Sequence, residues 1–371
     1  MPTIHDSRVL RRLVGALCAL MICAIVFAAL RPFHSPLNEV SWVSNENSVR
    51  IGRNGTLLSS GTFRFAASDR PSYSLEIWLE PALVWTRGTI LSFYAPSNPT
   101  GLSVRQDYTN LVVQRGTRSR ENRGRPPQIQ VEDIFREQQV FLTITSDGRA
   151  AAIYVNGSFV RKEEGFGSSA QDLAGQLIVA NSPLRDSSWT GQLRGLAIYN
   201  RGLSATEVIQ HYLDWTQRRQ PPDAIDAKAV AFYTFHDHKG RVIHDEGTSG
   251  IDLYIPERFQ VVDHFFFEPL WSEIYTSRHY FKDGVFNIAG FIPLGFLVTA
   301  YFAVVVRIKR PALCTILVGA SVSFLIELIQ AYLPTRYSGM TDIITNTLGT
   351  AIGAAFYRLI AQREIVDRLF D

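Results

Sequence analysis

The sequence predicts a multi-domain protein: an antiparallel β-sandwich followed by an α-helical membrane unit, with about four transmembrane helices in all. Three observations predict it. From about 40 to 256 the apolar residues recur with a period of two, and turn signals fall roughly every ten residues. Near the N-terminus, and again over 283–361, the chain becomes apolar over stretches long enough to span a bilayer. The later apolar stretches carry Asp, Asn, Glu and Gln, groups that are costly in hydrocarbon and mark a candidate site.

The totals narrow the choice of function. The 371 residues hold 37 Lys and Arg against 34 Asp and Glu, a net charge of +3, so no broad basic surface argues for nucleic acid. Cys18, Cys23 and Cys314 all lie in apolar stretches. The region between them therefore holds no thiol, which excludes a disulfide framework or a Cys-ligated metal there.

Residues 1–35 read as a cytoplasmic tail and membrane anchor. Arg8, Arg11 and Arg12 precede an uncharged apolar run from Leu13 to Leu30. Two readings stay open: a signal segment removed near Phe27-Ala28-Ala29, or a retained anchor, which the length of the run favours. In both, the arginines hold the N-terminus in the cytoplasm and send the following domain outward.

Residues 40–256 carry the strand signals. Tyr73 to Leu79 alternates as a half-buried strand, and Thr89–Tyr94, Leu111–Val113, Gln176–Val179 and Leu193–Tyr199 add more. Val140–Thr145 and Ala151–Val155 are joined by Asp147-Gly148, and Asn156-Gly157 closes the next turn, both strong hairpin signals. Leu203 to Tyr212 reads as a short helix capped by Ser204, with Glu207 three residues on. Val230 to Phe235 follows that helix, and its completing the same sandwich is favoured over its opening a second one.

Candidate chemistry in this region is sparse. Glu76 and Glu80 read as solvent-facing charges rather than a hydrolytic pair. Asp69, Asp107 and Asp147 read as turn formers rather than calcium ligands. Arg115, Arg118, Arg120, Arg123 and Arg125 read as a solvated basic loop, with anionic headgroups or acidic glycans as the alternative. His236, Asp237, His238 and His244 lack the helical spacing of a zinc site, so no metal and no cofactor is expected. Three pieces, Ser74–Pro81, Ile153–Gly157 and Trp189–Asn200, resemble the laminin-G-like, concanavalin A-like jelly-roll family in their order. That resemblance implies a sandwich that binds glycans or proteins.

The aromatic segment 257–282 includes Phe259, Phe265, Phe266, Phe267, Trp271, Tyr275 and Tyr280, a density that suits an interfacial stretch. Spans follow at about 284–306, 312–333 and 343–360, with a cytoplasmic tail at 362–371. If the sandwich is outside, the first of these spans runs inward and meets Arg307, Lys309 and Arg310, and the last meets Arg358, Arg363 and Arg368. This is the positive-inside pattern, with Lys282 and Arg336 as outer exceptions.

With that topology the polar residues converge on the outer leaflet. Asp283 and Asn287 open one helix, Asp342 and Asn346 open another, and Glu327 and Gln330 lie near the outer end of the helix between. Spacings of three and four place each pair on one helix face. Glu327 is the candidate general base, with Arg336 as its cationic partner. Asp283, Asn287, Glu327, Gln330, Arg336, Asp342 and Asn346 form the candidate binding set. Gly290, Pro293, Gly295, Pro334, Gly349 and Gly353 read as structural, the glycines permitting close helix packing. Asp283-x3-Asn287-x2-Gly290 recurs as Asp342-x3-Asn346-x2-Gly349.

This ordered set, from Asn287, Gly290, Phe291, Pro293 and Gly295 through Glu327, Gln330, Pro334 and Arg336 to Asp342, Asn346, Gly349 and Gly353, resembles the VanZ-like membrane protein family. The resemblance implies a bacterial cell-envelope protein of the cytoplasmic membrane and a link to glycopeptide resistance, but no defined activity. The sandwich is an addition to the minimal family pattern. Three functions are therefore expected, in this order: handling of a lipid or lipid-linked glycan at the outer-leaflet site (glycopeptide-resistance-like or exopolysaccharide-related), a structural anchor for a carbohydrate-binding module, and an enzyme acting on a polyprenyl-phosphate-type lipid. The expected partners are the lipid bilayer and a glycan, with no nucleic acid.

Overall fold

The computed structural model describes residues 4–31, 33–65, 71–98, 101–116, 126–136, 139–183, 187–217, 228–263, 279–333 and 338–370. The chain divides into two compact units, one of residues 36–263 and one of residues 1–35 with 264–371.

The 36–263 unit is a two-sheet antiparallel sandwich. Its strands are β1 (Val40–Trp42), β2 (Val49–Ile51), β3 (Leu57–Phe63), β4 (Tyr73–Pro81), β5 (Arg87–Tyr94), β6 (Leu102–Asp107), β7 (Asn110–Arg115) and β8 (Gln128–Val131). The chain continues through β9 (Val140–Ser146), β10 (Ala150–Val155), β11 (Ser158–Glu164), β12 (Gly175–Val179), β13 (Gly191–Tyr199), β14 (Ala229–Tyr233), β15 (Val242–Ile243) and β16 (Leu253–Tyr254). One sheet runs β1-β2-β13-β4-β9-β10-β11 with β14 also on β13, and the other runs β15-β16-β3-β12-β5-β6-β7-β8. Asn156 and Gly157 both take positive φ, 51° and 76°, as the two-residue turn between β10 and β11 demands.

Alternation along β4 explains the core. Tyr73, Leu75, Ile77 and Leu79 point between the sheets, where they join Leu142, Ile144, Leu196 and Ile198 from the flanking strands. Their neighbours face a second apolar layer. Helix α2 (Ala205–Thr216; α1 belongs to the other unit) starts from a Ser204/Glu207 capping box and buries Val208, His211 and Trp215. Those side chains pack on Phe141, Ala197, Tyr199 and Phe232. The middle of this sheet is therefore buried on both faces. β14 pairs with β13 through Leu196↔Tyr233 and Ala197↔Phe232, so the strand after the helix completes the same sandwich. Phe259 is also fully buried in this unit, and its amide donates to the Pro36 carbonyl at 3.0 Å, so it is not part of an interfacial stretch. The rest of the aromatic run lies outside the described residues or side chains.

The other unit is helical: α1 (Ile4–Leu30), α3 (His279–Ala300), α4 (Pro311–Gln330) and α5 (Met340–Phe370). α3 contains Pro293 and runs on into a π-helical turn, Tyr301–Val306. Four segments, Arg11–Leu30, Gly284–Val306, Pro311–Gln330 and Met340–Gln362, are long and apolar enough to cross a membrane. Cys18 of α1 packs with Phe291, Leu294 and Val298 of α3 and Ile326 of α4.

α3 and α5 run parallel and touch backbone to backbone. A Cβ at Gly349 would lie 2.3 Å from the Ile288 carbonyl oxygen, one at Gly353 2.1 Å from that of Ile292, and one at Gly295 2.1 Å from that of Thr350. Small residues at such crossings replace a hydrophobic drive that the bilayer does not supply. Gly290 is a correction: a Cβ there would meet nothing within 4 Å, so it is not a packing glycine. The sequence repeat is thus not a structural one, because Gly349 sits in the crossing while its counterpart Gly290 faces outward.

Gly353→Val should destabilise the helical unit by about 1–3 kcal/mol, the range for overpacking, read as an earlier loss of the monodisperse peak when detergent-solubilised protein is heated. Gly290→Ala should leave that profile unchanged; equal profiles for the two variants would contradict the crossing.

Candidate functional site

The polar residues of the helical unit gather at one end of it. This end is formed by the C-terminal ends of α1 and α4 and the N-terminal parts of α3 and α5. Asn287 Nδ2 donates to Asp342 Oδ1 at 2.9 Å, joining α3 to α5. Asn346 Nδ2 donates to Ser323 Oγ at 2.9 Å, joining α5 to α4. Gln330 Nε2 donates to the Ala29 carbonyl at 2.9 Å, so α4 reaches the last turn of α1. Glu327 is only 1% exposed, and its Oε2 accepts from the Gly339 amide at 2.8 Å.

Among the described residues, the buried Gln330 Oε1 and Ser338 Oγ in this neighbourhood lack a hydrogen-bond partner. An unsatisfied buried polar atom costs about 1–3 kcal/mol. Gln330 shares a helix face with Glu327, and Ser338 immediately precedes the amide bound to Glu327. The set therefore offers a carboxylate, an amide oxygen and a hydroxyl near one another.

Five of the seven expected site residues have described side chains, Asn287, Glu327, Gln330, Asp342 and Asn346, and all lie at this end. Asp283 is on α3, but its side chain is outside the described ones, and Pro334 and Arg336 lie outside the described residues. Ser323, Ser338 and Gly339 were not anticipated. Ser323, Glu327 and Gln330 share one face of α4 at spacings of four and three, a signal the sequence did carry. A ladder of hydroxyls continues inward. Thr350 donates to the Asn346 carbonyl at 2.9 Å, and Thr299 donates to Thr315 at 3.0 Å.

The sandwich holds a separate buried polar group. Glu76, expected at the surface, is 1% exposed because α2 covers its side of β4. Tyr199 donates to its Oε2 at 2.8 Å, and His211 Nδ1 lies 2.9 Å from its Oε1. Burial and the Glu76 charge push the Tyr199 phenol far above its ordinary range. Burial acts to lower the His211 pKa, but the hydrogen bond to Glu76 and its charge, aided by Glu207, outweigh that and the opposing Arg201, so the net shift is upward. Glu80 is half-exposed and pairs with Arg194 at 3.1 Å.

The remaining candidates are placed locally. Asp147 accepts from the amides of Arg149 and Ala150, both at 2.8 Å, as a turn former does. Asp107 pairs with Arg87 at 2.6 Å. His244 Nδ1 lies 2.5 Å from Asp237, and His236 lies beside Thr234 and Glu246. Among the described residues no group of three or more His, Cys, Asp or Glu side chains gathers as a metal site. Arg115 ends β7, while Asp69 and the arginines at 118, 120, 123 and 125 lie outside the described residues.

The His211 shift has a pH signature. A folded-state pKa raised above the ordinary value of about 6.5 gives stability that is fully present below that value and is lost as pH rises through the folded pKa. The difference in sandwich melting temperature between wild type and His211→Gln should therefore shrink from pH 6 to pH 9. A difference that stays constant with pH would contradict a protonated His211–Glu76 pair.

Residues 52–209 match the family model of the concanavalin A-like lectin/glucanases superfamily, and residues 229–361 match that of VanZ/LLP1. The second match begins at the first residue of β14 and so takes in the last strands of the sandwich as well as α3 to α5. No curated protein sequence matches the chain. Among solved structures, the chain is similar to the binding domain of botulinum neurotoxin DC in complex with rat synaptotagmin II, at 15% identity and a TM-score of 0.38, covering 49% of this chain and 46% of that one. A putative carbohydrate binding protein from Bacteroides ovatus matches at 13% identity and a TM-score of 0.40, covering 59% and 58%. The binding domain of Paraclostridial Mosquitocidal Protein 1 matches at 14% identity and a TM-score of 0.37, covering 49% and 47%. The chain spans about half the length of these structures. In order along its sequence, the chain carries a concanavalin A-like sandwich region and a VanZ-like region whose helices are long and apolar enough to cross a membrane.

Proposed function

We propose that the chain is a multi-pass protein of the bacterial cytoplasmic membrane, with both termini cytoplasmic and the sandwich exported, whose polar bundle end binds the headgroup of a lipid-linked glycan in the outer leaflet. Arg307, Lys309, Arg310 and Arg358 at the opposite helix ends support the orientation. The lectin-type sandwich supports glycan binding outside the membrane.

The observation that carries the proposal is the pair of unpartnered buried atoms, Gln330 Oε1 and Ser338 Oγ, beside the buried Glu327 carboxylate. A helix lock satisfies its own groups; a site leaves groups for its ligand. An acceptor oxygen and a hydroxyl suit the hydroxyls and phosphate oxygens of a glycosyl phosphate headgroup.

A second reading rests on a different observation. The Asn287–Asp342 and Asn346–Ser323 bonds are interhelical and already paired, so these residues act as fasteners. Intramembrane bonds of this kind are worth about 0.6 kcal/mol on average.

Purified full-length protein in nanodiscs should bind polyprenyl-phosphate-linked saccharide, and Gln330→Ala should weaken that binding at least roughly tenfold, about 1.4 kcal/mol. Asn287→Ala should lower the unfolding midpoint with little change in affinity. Equal affinity of wild type and Gln330→Ala would remove the headgroup site and leave the fasteners alone.

A further inference from the structure

The sandwich carries a cleft of about 480 Å³ on the α2 side of the sheet, between the C-terminal end of that helix and the β1–β2 turn. This lies within the roughly 300–1,000 Å³ of small-ligand sites. Its walls include Trp78, Trp215, Arg194, Glu46, Gln139 and His236. We infer that this cleft is a saccharide subsite for a neutral sugar, with Trp78 as the platform. The inference deepens the reading that the sandwich binds glycan and rests on it.

Three features support the assignment. Trp78 is only half-buried and stands edge-on to Trp215, with centroids 6.4 Å apart, where α2 stops short of covering it. A partly exposed indole offers an apolar face to the C–H face of a sugar ring while polar groups beside it meet the hydroxyls. Arg194 is fixed and neutralised. Its guanidinium lies over one face of the Trp78 ring, 5.7 Å from the centroid, so a sugar must use the rest of the exposed indole, and it bonds Glu46 at 2.6 Å and Glu80 at 3.1 Å. The pairing leaves little net positive charge to draw an anion, so the ligand class is neutral. Finally, two of the lining residues carry buried donors with no hydrogen-bond partner, Trp215 Nε1 and Arg194 Nε. Unmet buried donors are costly, and a hydroxyl oxygen is the acceptor a sugar supplies.

The site lies on the layer that Glu76, His211 and Tyr199 hold together, and α2 closes one side of it with Trp215 and Thr216. Exposed Gln139, at the start of β9, lies at the rim, where its amide donates and accepts.

The test uses the full chain in nanodiscs, titrated with short neutral gluco-, galacto- and manno-oligosaccharides and, in a parallel arm, with acidic oligosaccharides. The readout is tryptophan emission together with saturation-transfer NMR. Wild type should bind a neutral probe with a change in tryptophan emission. Trp78→Ala should weaken binding roughly tenfold, and Gln139→Ala, whose side chain is exposed and whose fold is retained, should weaken it severalfold. Neutral-sugar binding that neither variant alters would overturn the cleft and leave the glycan-binding sandwich standing. Binding confined to acidic probes would overturn the neutral class assigned here. No binding of either class would overturn both the cleft and the reading beneath it.

Discussion

A carboxylate buried inside an apolar helix bundle must be met by donors, and the Glu327–Gly339 bond meets this one. Desolvating an ionised carboxylate without a partner costs far more than one hydrogen bond returns. The chain therefore has to bring a backbone N–H to Glu327, and it does so at the start of α5. Gly339 directly precedes Met340, where the helix has unspent amides and the positive end of its dipole. Asp342 in the first turn benefits from the same field. The α4–α5 connection is thus constrained by a buried carboxyl group that needs a donor. The glycines at 295, 349 and 353 hold α3 close enough for Asn287 to reach Asp342.

The sandwich follows a related rule with different materials. There the buried carboxylate is Glu76, and the donors are side chains, Tyr199 and His211. One comes from β13 and the other from α2, so the bond network ties the helix to the sheet it covers. That same helix ends at Thr216 and leaves Trp78 half-uncovered, which opens the polar cleft beside it.

Much of this was legible in the sequence. Alternation in Tyr73–Leu79 and the Asn156-Gly157 turn report local geometry, and local geometry is what period and turn residues encode. The apolar spans and the convergence of Asn287, Glu327, Gln330, Asp342 and Asn346 came from length and charge topology, which the bilayer dictates. What was not legible depends on tertiary register. Gly290 and Gly349 have the same local pattern, yet only Gly349 meets the neighbouring helix. Glu76 alternates as a surface residue, and only the packing of α2 makes it buried. Phe259 belongs by composition to an aromatic run and by structure to the sandwich core.

Replacing Ser338 with a photo-crosslinking amino acid in the full chain, irradiating intact membranes and identifying the adduct by mass spectrometry probes the polar bundle end most directly. The expected result is an adduct to a polyprenyl-linked glycan through its headgroup, displaced by added lipid of the same class. Adducts only to protein or to phospholipid acyl chains, unaffected by that competitor, would contradict it.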